Sequence, residues 1–98
     1  MRRQGRRMGY RVEISPEAQK EIRTLSGYVR SAALKMLREL SQDPRPPRSK
    51  ELCDRPSIYR IWLLRKWRIV YRIEEDPKRI LVLRVCLKEQ VDYDRVQG

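Results

Sequence analysis

The chain has 98 residues, enough for one domain with one modest hydrophobic core. Its formal charge is +11, from 24 Lys and Arg against 13 Asp and Glu, and it contains no histidine. Such a field favours polyanions, and the missing histidine excludes a Ser-His triad, a His general base and any His-ligated metal.

Residues 1–8 (MRRQGRRM) show no apolar periodicity and are expected to form a disordered basic leader. No apolar stretch backs those charges, so they do not read as a secretory signal. A single domain over residues 9–98 follows. Tyr10-Arg-Val-Glu-Ile14 alternates apolar and polar, as a half-buried strand does. Ser15-Pro16 offers an N-cap and a proline suited to a first helical position. Ala18, Ile22 and Leu25 then recur at helical spacing, until Ser26-Gly27 interrupts them. A second helix carries Val29, Ala33, Met36, Leu37 and Leu40 on one stripe. Asp43-Pro44 ends it, because the residue before a proline resists the helical conformation.

Arg45 to Pro56, rich in proline and charge, reads as a surface loop. Three strand-like runs follow, Ser57–Leu64, Trp67–Glu74 and Arg79–Leu87, separated by Arg65-Lys66 and by Glu75 to Lys78. The tail from Lys88 is polar. The expected fold is α+β, in the order β-α-α-β-β-β, with two helices on one face of a mostly antiparallel four-stranded sheet. No apolar run approaches the ~18 residues needed to cross a membrane. Cys53 and Cys86 have no CxxC spacing and are too few for a disulfide framework, which fits reduced thiols in the cytoplasm. No glycine-rich phosphate loop is present, and the composition implies no cofactor.

Charge is unevenly spread. Residues 9–44 carry a net +1, residues 45–72 a net +7 and residues 73–98 a net −1. Alternation gives each late strand one apolar side and one side bearing arginine. Tyr59, Ile61 and Leu63 oppose Arg60 and Trp62. Trp67, Ile69, Tyr71 and Ile73 oppose Arg68, Val70 and Arg72. Leu81, Leu83, Val85 and Leu87 oppose Arg84, Cys86 and, where the strand continues, Lys88. With the apolar sides on the helices, Arg60, Arg68, Arg72 and Arg84 are expected on a common open face, with Trp62 among them.

Arginines hold phosphates through bidentate, charge-assisted hydrogen bonds, and an aromatic ring among them suits unstacked RNA bases. Cleavage by the 2′-OH needs a base, cations for the phosphorane and an acid for the leaving oxygen. Arginines supply the second, and lysine or tyrosine can move protons, which singles out Lys88 and Tyr93. The candidates are Arg60, Arg68, Lys88 and Tyr93 for catalysis and Lys50, Trp62, Arg65, Lys66, Arg72 and Arg84 for RNA binding. Against these stand plainer roles: solvated strand arginines, Trp62 as an apolar cap on the sheet edge, and Cys86 as a strand filler. Glu89, Asp92 and Asp94 are explained by tail solvation, and no metal site is expected.

The strand from Tyr10 with SPEAQKEIRTL, the stretch DPRPPRSKEL, the segment YRIWLLRKWRIVYRI and the final LVLRVCLKE together resemble the RelE/ParE toxin superfamily, from about Tyr10 to about Tyr93. The resemblance implies a RelE-like fold and the toxin of a type II toxin–antitoxin module. It implies either cleavage of mRNA in the ribosomal A site, as in the RelE branch, or poisoning of DNA gyrase, as in the ParE branch. The short helical pair and the arginine after the tyrosine in both hairpin strands look more like the RelE branch. By that resemblance Arg60 and Arg68 contact substrate, Lys88 stands where the branch has a catalytic arginine, and Tyr93 is similar to its C-terminal tyrosine. Trp62 replaces a lysine and is a departure. A cognate acidic antitoxin, the ribosome and mRNA are the implied partners. A basic RNA-binding module without enzymatic activity is the remaining alternative.

Overall fold

A computed structural model of the chain describes residues 9–90. The expected leader and Tyr93 lie outside these residues. Strand β1 (Arg11–Ile14) leads into α1 (Pro16–Thr24) and α2 (Gly27–Gln42), followed by β2 (Lys50–Leu52), β3 (Arg55–Leu63), β4 (Trp67–Glu75) and β5 (Lys78–Leu87). A short 3-10 turn, Lys88–Gln90, closes the described chain. Both helices begin on a serine. Ser15 Oγ accepts from the Ala18 amide at 3.1 Å and Ser26 Oγ from the Val29 amide at 3.4 Å, satisfying donors that a helix start leaves open. Among the described residues no helix is long and apolar enough to cross a membrane.

The sheet runs in the order β1-β5-β4-β3-β2, with β1 parallel to β5 and the other neighbours antiparallel. The helices cover one face. Ala18, Ile22 and Leu25 of the first helical segment and Ala33, Leu37 and Leu40 of the second pack on sheet residues that include Ile61, Ile69, Tyr71, Ile80 and Val85. The α+β class and the order of helices and hairpins are as the sequence implies.

Two details differ from expectation. The sheet has five strands, because Lys50–Leu52, read as loop, pairs antiparallel with β3. A three-residue strand with two charged members has no alternating apolar signal; it forms because the edge of β3 offers backbone partners. The second difference is a bulge. Val70 faces Arg84 but Tyr71 faces Val82, so Leu83 is an extra residue in β5. The bulge reverses the alternation on its N-terminal side. Ile80 and Val82 therefore enter the core in place of Leu81 and Leu83, while Leu83 joins Leu52, Ile58 and Val70 in a small second cluster.

Candidate nucleic-acid interface

The β3–β4 hairpin sets the geometry of the open face. Trp62 is the register partner of Arg68, and Arg60 is the partner of Val70 on one side and of Lys50 in β2 on the other. The Arg68 guanidinium carbon lies over the Trp62 ring, 4.3 Å from its centre, a cation–π contact, and Lys88 Nζ lies 5.7 Å from the centre of the same ring. Arg68 is only 6% exposed beside that ring, whereas Trp62 remains 36% exposed. Lys88 is held there by its backbone, since its amide donates to the Lys66 carbonyl at 3.0 Å, tying the end of β5 to the hairpin tip.

The tip itself is Leu64-Arg65-Lys66, all exposed, with Leu64 in the left-handed region at φ 58°. Arg65 and Lys66 thus stand beyond Trp62 at the same end of the sheet. Arg48, Lys50, Arg60, Ile61, Trp62 and Arg68 line a pocket of about 110 Å³. Among the described residues no ion pair involves Arg48, Lys50, Arg60 or Lys88. This end of the face displays its positive charge.

The structure therefore brings Arg60, Arg68 and Lys88 together around Trp62, and β2 adds Lys50. It sets Arg72 apart at the other end, with Nη2 on Glu74 Oε2 at 2.8 Å. It also draws Arg84 away from the group. The last residue of β1, Ile14, pairs with Val82, so β1 no longer covers the β5 edge at Arg84. There the Arg84 side chain turns to α1, where Nη2 meets Glu21 Oε2 at 2.7 Å and Nε lies 3.6 Å from Glu17. Glu21 also accepts the Val85 amide at 2.7 Å, so the carboxylate seals the strand edge as well as the arginine. The expectation that Arg84 joins Arg60 and Arg68 is thus corrected. Arg48 is missed by sequence reasoning: its only signal is membership of the proline-rich basic stretch, and β2 pairing is what carries that stretch to the pocket.

Cys86 is buried, and burial pushes its thiol up to about 11, which leaves it a poor nucleophile. Among the described residues no group of His, Cys, Asp and Glu is placed to hold a metal ion. What the site offers is preorganised positive charge: guanidinium groups for a phosphate and its transition-state charge, and amines at Lys50 and Lys88.

On the other side of β1, Tyr10, Val12, Ile14, Leu34 and Leu37 line an apolar groove of about 320 Å³ with Arg38 on its rim.

The family described as ParE toxin of type II toxin-antitoxin system, parDE, matches residues 12–91, and the chain belongs to the RelE/ParE toxin superfamily of type II toxin–antitoxin systems. A free mutant of the E. coli toxin RelE is 30% identical, with a TM-score of 0.74 over 84% of this chain and 86% of that one. The isolated E. coli RelE toxin is also 30% identical, with a TM-score of 0.73 over 85% and 88%. The intact E. coli RelBE toxin–antitoxin complex matches at 29% identity and a TM-score of 0.73 over 83% and 99%. No curated protein matches the chain.

Proposed function

We propose that this toxin is a metal-independent, ribosome-dependent mRNA endonuclease acting in the cytoplasm, and that an acidic antitoxin holds it in check. One observation carries the reading: Arg60, Arg68 and Lys88 converge on Trp62 with Lys50 alongside, and among the described residues no ion pair involves Arg60, Lys50 or Lys88. In this reading Arg60 and Arg68 bind the scissile phosphate and stabilise the charge that develops on it. Lys88 and Tyr93 take part in proton transfer. Arg65 and Lys66 at the hairpin tip meet neighbouring phosphates of mRNA or ribosomal RNA. The antitoxin neutralises the same cations by charge complementarity, and the apolar groove beside β1 suits the apolar stripe of a partner helix.

The test is primer-extension mapping of a reporter mRNA in a reconstituted translation system, with the same RNA free of ribosomes beside it. Cuts at A-site codons only when ribosomes are present are expected. Intact RNA in both tubes from a folded sample sinks the endonuclease reading. The matching family description, that of a ParE toxin, favours a gyrase-directed activity as the second reading, and a DNA supercoiling assay decides it. The antitoxin part fails if the product of the adjacent open reading frame does not bind the purified chain.

A further inference from the structure

The end of the loop between α2 and β2 lines the pocket through Arg48. Arg48 joins Lys50, Arg60 and Arg68 around a space of about 110 Å³, so four cations reach one small pocket from the loop, β2, β3 and β4. Gathering the like charges of Arg48, Lys50 and Arg60 is unfavourable unless an anion joins them. Among the described residues no ion pair supplies one to Arg48, Lys50 or Arg60.

The loop is built to hold Arg48 in place. Pro44, Pro46 and Pro47 restrict its backbone, and Ser49 folds back on it through its amide at 2.9 Å and its hydroxyl at 2.8 Å, both to the Pro46 carbonyl. Arg45 anchors the near end, donating to Glu75 at 2.7 Å and to the Tyr59 hydroxyl at 3.0 Å, while the buried Tyr71 hydroxyl donates to the Pro44 carbonyl at 2.8 Å. A cation presented on a restrained loop loses little freedom when it binds.

We propose that Arg48 and Lys50 form a second phosphate subsite, which takes the RNA backbone next to the phosphate held by Arg60 and Arg68. The RNA strand then crosses the protein strands instead of running along them, from Lys88 just past the end of β5, over β4 and β3, to the edge at β2. That path spans three strand spacings, roughly 14 Å. The subsite rests on the RNA reading but adds a direction, a further residue and a role distinct from cleavage: it binds backbone without touching the reacting atoms.

The salt dependence of binding tests it. A short fluorescein-labelled single-stranded RNA is titrated with the full chain by fluorescence anisotropy across a range of KCl concentrations. Each phosphate no longer neutralised should reduce the steepness of log K against log salt by about 0.7 for a single strand. Arg48→Ala should show one such step and Arg48→Ala with Lys50→Ala two, whereas Arg48→Lys should keep the wild-type slope. Lys20→Ala, on the exposed side of α1, is the control and should change nothing. On programmed ribosomes Arg48→Ala should raise KM and leave kcat within about twofold, the pattern expected when only uniform binding is removed. If the wild-type chain binds and Arg48→Ala retains its slope and KM, the subsite is wrong while the RNA reading stands. If the wild-type chain shows no salt-dependent binding and no cleavage, the RNA reading falls and the subsite with it.

Discussion

The open face of the sheet has an arginine-rich region at each end, and they differ in the company the arginines keep. At the end formed by the β3–β4 tip, Arg60 and Lys50 face each other across β2 and β3, and the Arg68 guanidinium lies over the Trp62 ring. At the opposite end the cations are interleaved with carboxylates. Arg72 meets Glu74, Arg79 bridges Glu74 at 2.8 Å and Glu13 at 2.9 Å, and Arg11 reaches Glu13 at 3.4 Å. On the helix-covered side of this end, Arg45 and Tyr10 share Glu75. Both ends are rich in arginine, yet the second has its field largely cancelled. Arginine count alone does not tell the two ends apart; the carboxylates set against Arg72 and Arg79 do.

The largest expected effect breaks or confirms that contrast directly. Arg68→Ala should slow cleavage on programmed ribosomes by about 10²–10³-fold, as removal of one preorganised charge donor does. Arg72→Ala should change the rate by less than about threefold, because its charge is already met by Glu74. Equal damage from the two would erase the distinction. Arg68→Ala should still fold, with urea denaturation showing destabilisation below about 2 kcal/mol from the missing Trp62 stack.

Tyr71→Phe probes the helix-covered side of the same strand, opposite the arginines. The Tyr71 hydroxyl is buried on the Pro44 carbonyl, and burial pushes its pKa up to about 12. Removing it leaves a buried acceptor unmet, and urea titration should show destabilisation of about 1–3 kcal/mol.

A smaller effect concerns pH. Hydrogen bonds from Arg79 and Arg45 hold Glu74 and Glu75 below the usual carboxylate range. Groups lowered on folding stabilise the protein above their unfolded pKa, and that stability is lost as pH falls through the folded values. The urea midpoint should therefore decline as the solution is acidified from about pH 5 towards pH 2, and Glu75→Gln should shallow the decline. An unchanged pH profile in that variant would show that Glu75 contributes nothing to the paired end. The smallest change is Leu64→Gly at the hairpin tip, where φ is 58°. Glycine removes the left-handed strain and should raise stability by about 1 kcal/mol in a thermal melt, with every charge of the cationic end untouched.

Much of this face is legible in the residues. Alternation along Tyr59–Leu63 and Trp67–Ile73 is enough to put Arg60, Trp62, Arg68 and Arg72 on one side, because the side-chain period in a strand is two. The pairing of Arg72 is half legible, since Glu74 sits two positions along on the same side. Arg79 requires the register of the β4–β5 turn, which alternation alone does not provide. In β5 one extra residue, Leu83, reverses the facing of everything before it, so Leu81 leaves the core and Val82 enters. Arg84 escapes for another reason: alternation says nothing of where β1 stops, and it is the uncovered edge beyond Val82 that lets this arginine turn to Glu21. The place of Lys50, and Arg48 altogether, are hidden by the brevity of β2, a strand whose existence depends on its neighbour more than on its own composition.

The two outermost strands have a consequence for life without a partner. An exposed sheet edge invites another chain to extend it, which is how partly covered β proteins come to aggregate. Here β1 has four residues and β2 three, and the long apolar strands β3, β4 and β5 lie between them. Charged residues sit on both borders, Arg11 and Glu13 on one side and Lys50 and Glu51 on the other, and the pairing at Leu52 is irregular. Few backbone groups are left to template growth, and like-charged molecules repel one another on approach. The same brevity that conceals β2 in the sequence leaves a second copy little described edge to extend.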